Sequence, residues 1–408
     1  MIMKRFPKSF FSICLMAAFG FASGQTFTTF TTTDGLPDNF CSGGVAIDNN
    51  NNVWVGTALG LAKFDGTTWT TYTTTDGLVD NYVLCVAVDG SNVWAGTPQG
   101  LSKFDGTNWT NYSTLEGLAD NTINYVFADA SHNIWAATGI GLNMFNGTSW
   151  TTFTTTSGLL GDDIKYMTES PSDIIWVGAL GGYSEFISPS AFTSYSIATI
   201  DSLASDNIFA IAVQDNGNKW IGTWSGISVI DVDDNWVENI RMAEGLYNDF
   251  VQDIKIAPNG DIWVGCFASY NGDGGVSWYD VSADTWTSYS VPQGLADMQV
   301  VRLAPDQNGD IWVATGNGLT KISGVTAIDE SKAMNLTMSP NPANDFITLT
   351  TDEIPQQISI LNACGQVVHS TQTCSTSTTI STSGLPAGLY LMQVKTSDGL
   401  RTGKFIKE

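Results

Sequence analysis

The chain has 408 residues and a formal net charge of −24, yet only 14% of its residues are charged, while glycine (41) and tryptophan (14) are abundant. That composition excludes a helical bundle and points to a turn-rich β protein; the length allows two or three domains. The acidic balance argues against nucleic acid or an anionic lipid surface as a partner and suits solubility outside the cell.

Residues 1–24 read as a secretory signal peptide. Lys4, Arg5 and Lys8 form the positive start, Phe10 to Phe21 an apolar stretch too short for an ordinary membrane span, and Ala22-Ser23-Gly24 a small-residue cleavage site. Cys14 has no lipobox beside it, and no later stretch could span a membrane. Removing this segment takes away three positive charges and leaves the charge at −27.

Residues 25–323 carry an internal repeat. Seven segments centre on Trp54, Trp94, Trp135, Trp176, Trp220, Trp263 and Trp312, at spacings of 40, 41, 41, 44, 43 and 49 residues. Each unit reads as four strands: an apolar innermost one such as Val45 to Ile47, the tryptophan strand, a third ending in Phe64 or Phe104, and a Thr-rich fourth with spaced aromatics such as Trp69 and Tyr72. Asp/Asn/Gly clusters supply the turns. Such a sheet cannot bury both faces alone, so the units are expected to stack as blades. The seventh tryptophan unit lacks a fourth strand, and Phe27 and Phe30 match the missing aromatic pair. The expected fold is therefore all-β: a seven-bladed β-propeller, with the N-terminal strand completing the last blade, followed by a small Ig-like β-sandwich.

The run Asp-Gly-Leu-x-Asp-Asn, apolar strand, Trp-Val-Gly-Thr, Gly-Leu-x-x-Phe-Asp and Trp-x-x-Tyr resembles the two-component regulator propeller repeat over residues 26–323. The resemblance implies an extracytoplasmic recognition module. Family members that are periplasmic sensors of carbohydrate fragments continue into a membrane helix and a histidine kinase, and neither is present in this sequence.

Residues 324–333 read as a linker. Beyond it, 334–408 shows short alternating strands between Gly/Pro turns, the pattern of a small sandwich. Pro340-Asn341-Pro342, Gly365, Leu385-Pro386-Ala387-Gly388-Leu389-Tyr390 and the basic run Lys404 to Lys407 resemble, in order, the C-terminal sorting domain of the type IX secretion system. This implies handling by the type IX secretion machinery, passage through the periplasm, and a final place at the cell surface or outside the cell.

Chemistry is sparse. The two histidines, His132 and His369, form no metal pair, and no nucleophile elbow, phosphate loop or dinucleotide fingerprint is present. No cofactor or metal is expected. Five scattered cysteines remain in the mature chain; only Cys364 and Cys374, flanking one hairpin, suit a disulfide. The repeated Asp-Asn pairs read as turn locks. Departures from the repeat mark the candidate ligand site: the insertion Phe267 to Gly275, with Phe267, Tyr270, Asn271 and Asp273, together with Trp224 and Tyr183 in the corresponding loops of blades five and four. Aromatics there could stack on sugar rings while Asp and Asn accept hydroxyl hydrogen bonds. The expected function is a secreted recognition module for a glycan or protein, with no catalytic residue assigned. The alternative is a secreted carbohydrate-active hydrolase or lyase using propeller carboxylates.

Overall fold

The computed structural model describes residues 25–187, 191–268, 273–324, 337–351, 355, 357–362, 367–371, 375–396 and 399–408. The signal segment, residues 325–333 of the linker, and Tyr270, Asn271, Cys364, Gly365 and Cys374 lie outside the described residues. The chain divides into two compact units, Met1–Thr326 and Ala327–Glu408.

Each tryptophan unit folds as a four-stranded antiparallel meander. The first runs Gly44–Ile47, Val53–Thr57, Gly60–Phe64 and Trp69–Tyr72, from innermost to outermost. Its second strand is buried on both faces, which is why Val-Trp-Val-Gly-Thr reads as a continuous apolar run and not as an alternation. Its fourth strand exposes the two threonines and half-buries the two aromatics, so β-branched polar residues alternate with rings that cap the sheet. Seven such sheets are present, and all seven tryptophans are buried between blades.

The ring closes through its N-terminus. Thr26–Phe30 pairs antiparallel with Gly318–Ser323, setting Phe27 opposite Ile322 and Phe30 opposite Leu319. The seven-bladed reading with a borrowed outer strand is thus borne out. Adjacent blades meet through the Gly-Leu turns. Leu36 and its counterparts Leu78, Leu118 and Leu295 are buried between sheets. Gly35 sits at φ +121°, where a Cβ would lie 2.9 Å from the Cβ of Trp69 on the outer strand of blade one. Glycine is thus needed for both backbone shape and clearance.

The repeated Asp-Asn pairs hold these turns. Asn39 Oδ1 accepts the Thr32 N–H at 2.8 Å and Asp38 Oδ1 accepts that of Phe40 at 2.6 Å, with the same arrangement at Asn81 and Asp80.

The second unit is a sandwich of two sheets. Thr337–Ser339, Phe346–Thr350 and Ser377–Ser381 form one; Val367–Thr371, Gln357–Leu361, Gly388–Thr396 and Gly399–Lys407 form the other. Ile347, Leu349 and Ile380 from the first meet Ile358, Ile360, Met392, Val394 and Phe405 from the second in a buried core.

Candidate functional site

The fourth-to-first and second-to-third strand turns open on one face of the ring, because successive antiparallel strands reverse direction. Exposed apolar side chains gather there: Phe40, Leu59, Tyr82, Ile140, Leu180 and Met298 all stand on these turns. Turns on the other face contribute Val232 and Val281. The exposed apolar side chains are thus unevenly divided between the two sets of turns.

Its most developed part lies over blades five and six. Trp224, on the turn between Lys219–Thr223 and Gly226–Ile230, is 55% exposed. Its ring stacks on Phe250 at 4.8 Å between centroids, with 10° between planes. Phe209 buttresses both at 5.9 and 5.0 Å, and Phe267 reaches Phe250 at 5.4 Å. Phe250 is fixed by its backbone N–H, which donates to the buried Asn248 side chain at 2.9 Å. The Asn248 Nδ2 in turn donates to the Asp273 carbonyl at 3.3 Å, tying the exposed Asp273 to the platform.

Of the residues singled out by sequence, Trp224 and Phe267 therefore join one cluster, and Asp273 is exposed beside Asn248. Tyr183 requires a correction. It is fully buried and stacks on Tyr195 at 5.0 Å, with burial pushing its hydroxyl well above the ordinary tyrosine range. It is the first inward side chain of the third strand, the position held by Leu61 and Leu101 in other blades, and no ligand at the surface can reach it.

Phe209 and Phe250 escaped the sequence reading. Phe250 follows the Asn248-Asp249 pair just as Phe40 and Tyr82 follow theirs, so the repeat did carry a signal for it.

A second cluster was also missed, because the innermost strands were read as apolar. Aligned on the tryptophan strand, Gly44, Cys85, Tyr125, Tyr166, Ala210, Asp253 and Arg302 occupy one equivalent position, one per blade, around the central channel. The Arg302 guanidinium lies over the rings of Tyr125 and Tyr166 at 5.4 and 5.7 Å. Lys255 donates to the Tyr166 hydroxyl at 2.6 Å.

Reactive groups are otherwise subdued. Burial pushes the thiols of Cys41 and Cys85 up to about 12 and that of Cys266 to about 11, which leaves them as thiols at neutral pH. His132, 75% exposed on the opposite face, is paired with Asp89 at 2.6 Å. Among the described residues no group of three or more metal-ligating side chains is found, and no helix is long and apolar enough to cross a membrane.

In the sandwich the sorting motifs converge. The Asn341 side chain donates to the Lys404 carbonyl at 3.2 Å and accepts from the Ile406 N–H at 3.0 Å, so the Pro-Asn-Pro turn is bonded to the terminal strand. Tyr390 stacks on Phe405 at 5.5 Å and donates to the Pro386 carbonyl at 2.8 Å. Leu385 packs against the core, Gly388 opens the strand that pairs with the terminal one, and Lys404 and Lys407 lie on that terminal strand.

Residues 337–408 match the family model of the secretion system C-terminal sorting domain, and residues 294–317 that of the two component regulator propeller. The chain carries a regulator propeller repeat and ends in a type IX sorting domain. No curated protein matches it. Among solved structures, the chain resembles the extracellular domain of the hybrid two component system BT3049 from B. thetaiotaomicron (18% identity, TM-score 0.64, 94% of this chain and 57% of that one). It also resembles PorZ, an essential bacterial surface component of the type-IX secretion system of Porphyromonas gingivalis (17%, 0.61, 92% and 60%). Streptogramin B lyase matches at 13% identity and TM-score 0.59, over 74% of this chain and 98% of that one. The chain thus spans less than two thirds of the first two, and at these identities the likeness is one of fold. The sorting domain marks the propeller for export to the cell surface or the extracellular space, with the type IX machinery as its handler.

Proposed function

We propose that this exported propeller is a recognition module that binds a glycan or protein through the Gly-Leu face, with an uncharged glycan as the ligand class its chemistry favours. The observation that carries this is the Trp224–Phe250 stack: a rigid aromatic platform, more than half exposed at Trp224. An indole face suits the C–H face of a pyranose, and neighbouring carboxylates and amides accept hydroxyl hydrogen bonds. The acidic balance of the chain disfavours anionic polysaccharide at this face. Residues 1–24 serve as the leader that starts export, and Asp273, held by the Asn248 side chain, extends the platform's rim.

The test is a glycan-array screen of the mature protein followed by titration of any hit. Trp224→Ala should weaken binding by about fivefold or more, since a stacked aromatic contributes on the order of 1 kcal/mol beyond its burial. Undiminished binding in Trp224→Ala and Phe250→Ala would move the site elsewhere. Cleavage of the hit, abolished by changing a single carboxylate, would replace recognition with the hydrolase or lyase reading.

A further inference from the structure

The central channel offers a second site, of different chemistry. A cavity of about 350 Å³ runs along it, within the size range of small-molecule sites. One wall is apolar, with Val45, Val86 and Val126, while Arg302, Lys255 and Gln252 stand on the other side.

The channel is built around Arg302. Gly44, at φ +72°, lies so close that a Cβ there would fall 2.6 Å from the arginine Cγ, so the missing side chain on blade one is what lets the stem pass. The guanidinium then reaches from blade seven to the tyrosines of blades three and four. Among the described residues one of its nitrogens is committed, donating to the carbonyls of Gln252 and Val301 at 3.1 Å each. Among the described residues no carboxylate lies within ion-pair distance of it.

The nearest carboxylate layer is already spent. Asp253 is fully buried, accepts the Leu303 and Ile254 N–H groups at 2.8 and 3.0 Å, and stands 3.5 Å from Lys255. Among the described residues Lys255 therefore takes the one anion of this half-buried chamber, and the Arg302 guanidinium keeps free donors beside an apolar wall. A half-buried cation without an anion is costly, and guanidinium geometry matches a planar two-oxygen acceptor. The apolar wall asks for an organic body behind that acceptor, which an inorganic ion lacks.

We propose that the channel binds a small organic carboxylate, seated on Arg302 with Lys255 as a further donor and its apolar part against the valine wall. This site is separate from the Trp224 platform, whose chemistry favours an uncharged ligand.

The test is calorimetric titration of the full exported chain with D-glucuronate and with benzoate, a sugar acid and a flat aromatic acid, each against its neutral counterpart, D-glucose or benzyl alcohol. One acid at least should bind saturably and more tightly than its neutral counterpart; which acid binds identifies the source. Arg302→Met should weaken that binding by at least about tenfold, and Arg302→Lys, which keeps stem and charge but loses the fork, by an intermediate factor. Circular dichroism checks that each variant folds, and Arg302→Lys decides if Arg302→Met does not. Failure of both acids to bind the parent protein at millimolar concentrations, equal binding of acid and neutral counterpart, or undiminished binding by Arg302→Lys would overturn the proposal.

Discussion

Trp54, Trp135 and Trp312 each donate an indole N–H to an aspartate six residues earlier, Asp48, Asp129 and Asp306, at 2.8 to 3.0 Å. The same carboxylates accept turn N–H groups, so one side chain closes the turn and satisfies the buried ring. Blade four keeps the turn, with Asp173 at φ +61° matching Asn51, but holds Ser170 at the acceptor position. The Trp176 indole N–H is buried without a partner. Ser170→Asp should therefore stabilise the ring by about 1 kcal/mol, and Asp306→Ala should destabilise it by about 1 to 3 kcal/mol by orphaning a buried donor. Urea melts at neutral pH read both; an unchanged or lower midpoint for Ser170→Asp would refute the acceptor rule. Part of this scale was legible in the sequence: the periodic Asp-Asn pairs read correctly as turn locks. Tyr183 did not, because counting from the tryptophan places it next to a loop, and only the strand register shows that its side chain turns inward.

At the level of strands, the borrowed outer strand of blade seven has the largest consequence. Phe30 stacks on Trp312 at 5.5 Å and touches Phe64 and Trp69 of blade one at 5.3 and 5.8 Å, so one side chain joins the last blade to the first. Phe30→Ala should cost about 2 to 4 kcal/mol, near the lower part of the range for buried phenylalanines because this ring is half-buried. Deleting residues 26–33 should cost more and promote aggregation, since it bares the Gly318–Ser323 edge. A deletion variant with an unchanged melting curve would refute closure by this strand. The closure was readable in advance because aromatic spacing survives a change of chain position. The channel was not: Tyr166, Asp253 and Arg302 sit in strands that otherwise look apolar, and their meeting depends on three different blades. The Trp224–Phe250 stack was half legible for the same reason, since one partner lies on each of two neighbouring blades.

For the whole molecule, charge and export set the terms. Burial pushes the Asp48 carboxyl up, but hydrogen bonds from Trp54, Asn52 and the backbone outweigh it and hold its pKa below the usual 3.8. Asp105 and Asp231 are lowered mainly by backbone N–H bonds, and Asp280 by the Ser282 hydroxyl. A carboxylate with a lowered folded pKa contributes stability that is present above its unfolded value and lost as pH falls through the folded one. Melting temperature should therefore hold from pH 7 to about 5 and drop below about 3.8, even though protonation relieves the repulsion of a −24 chain; a rise below that pH would contradict this. Export is separable from folding on the same physical grounds. The sandwich has its own buried core of Ile347, Ile358, Met392 and Phe405, and the ring closes on itself through Thr26–Phe30. Removing residues 334–408 should leave the ring's melting curve unchanged while the protein accumulates in the periplasm. Asn341→Ala is the finer variant: it cuts the two hydrogen bonds that tie the Pro-Asn-Pro turn to the terminal strand, at a cost of about 1 to 3 kcal/mol to the sandwich alone. If sorting reads that strand in its folded register, surface protease accessibility of the ring should fall in Asn341→Ala, and normal surface display of the 334–408 deletion would refute the role of this unit in export.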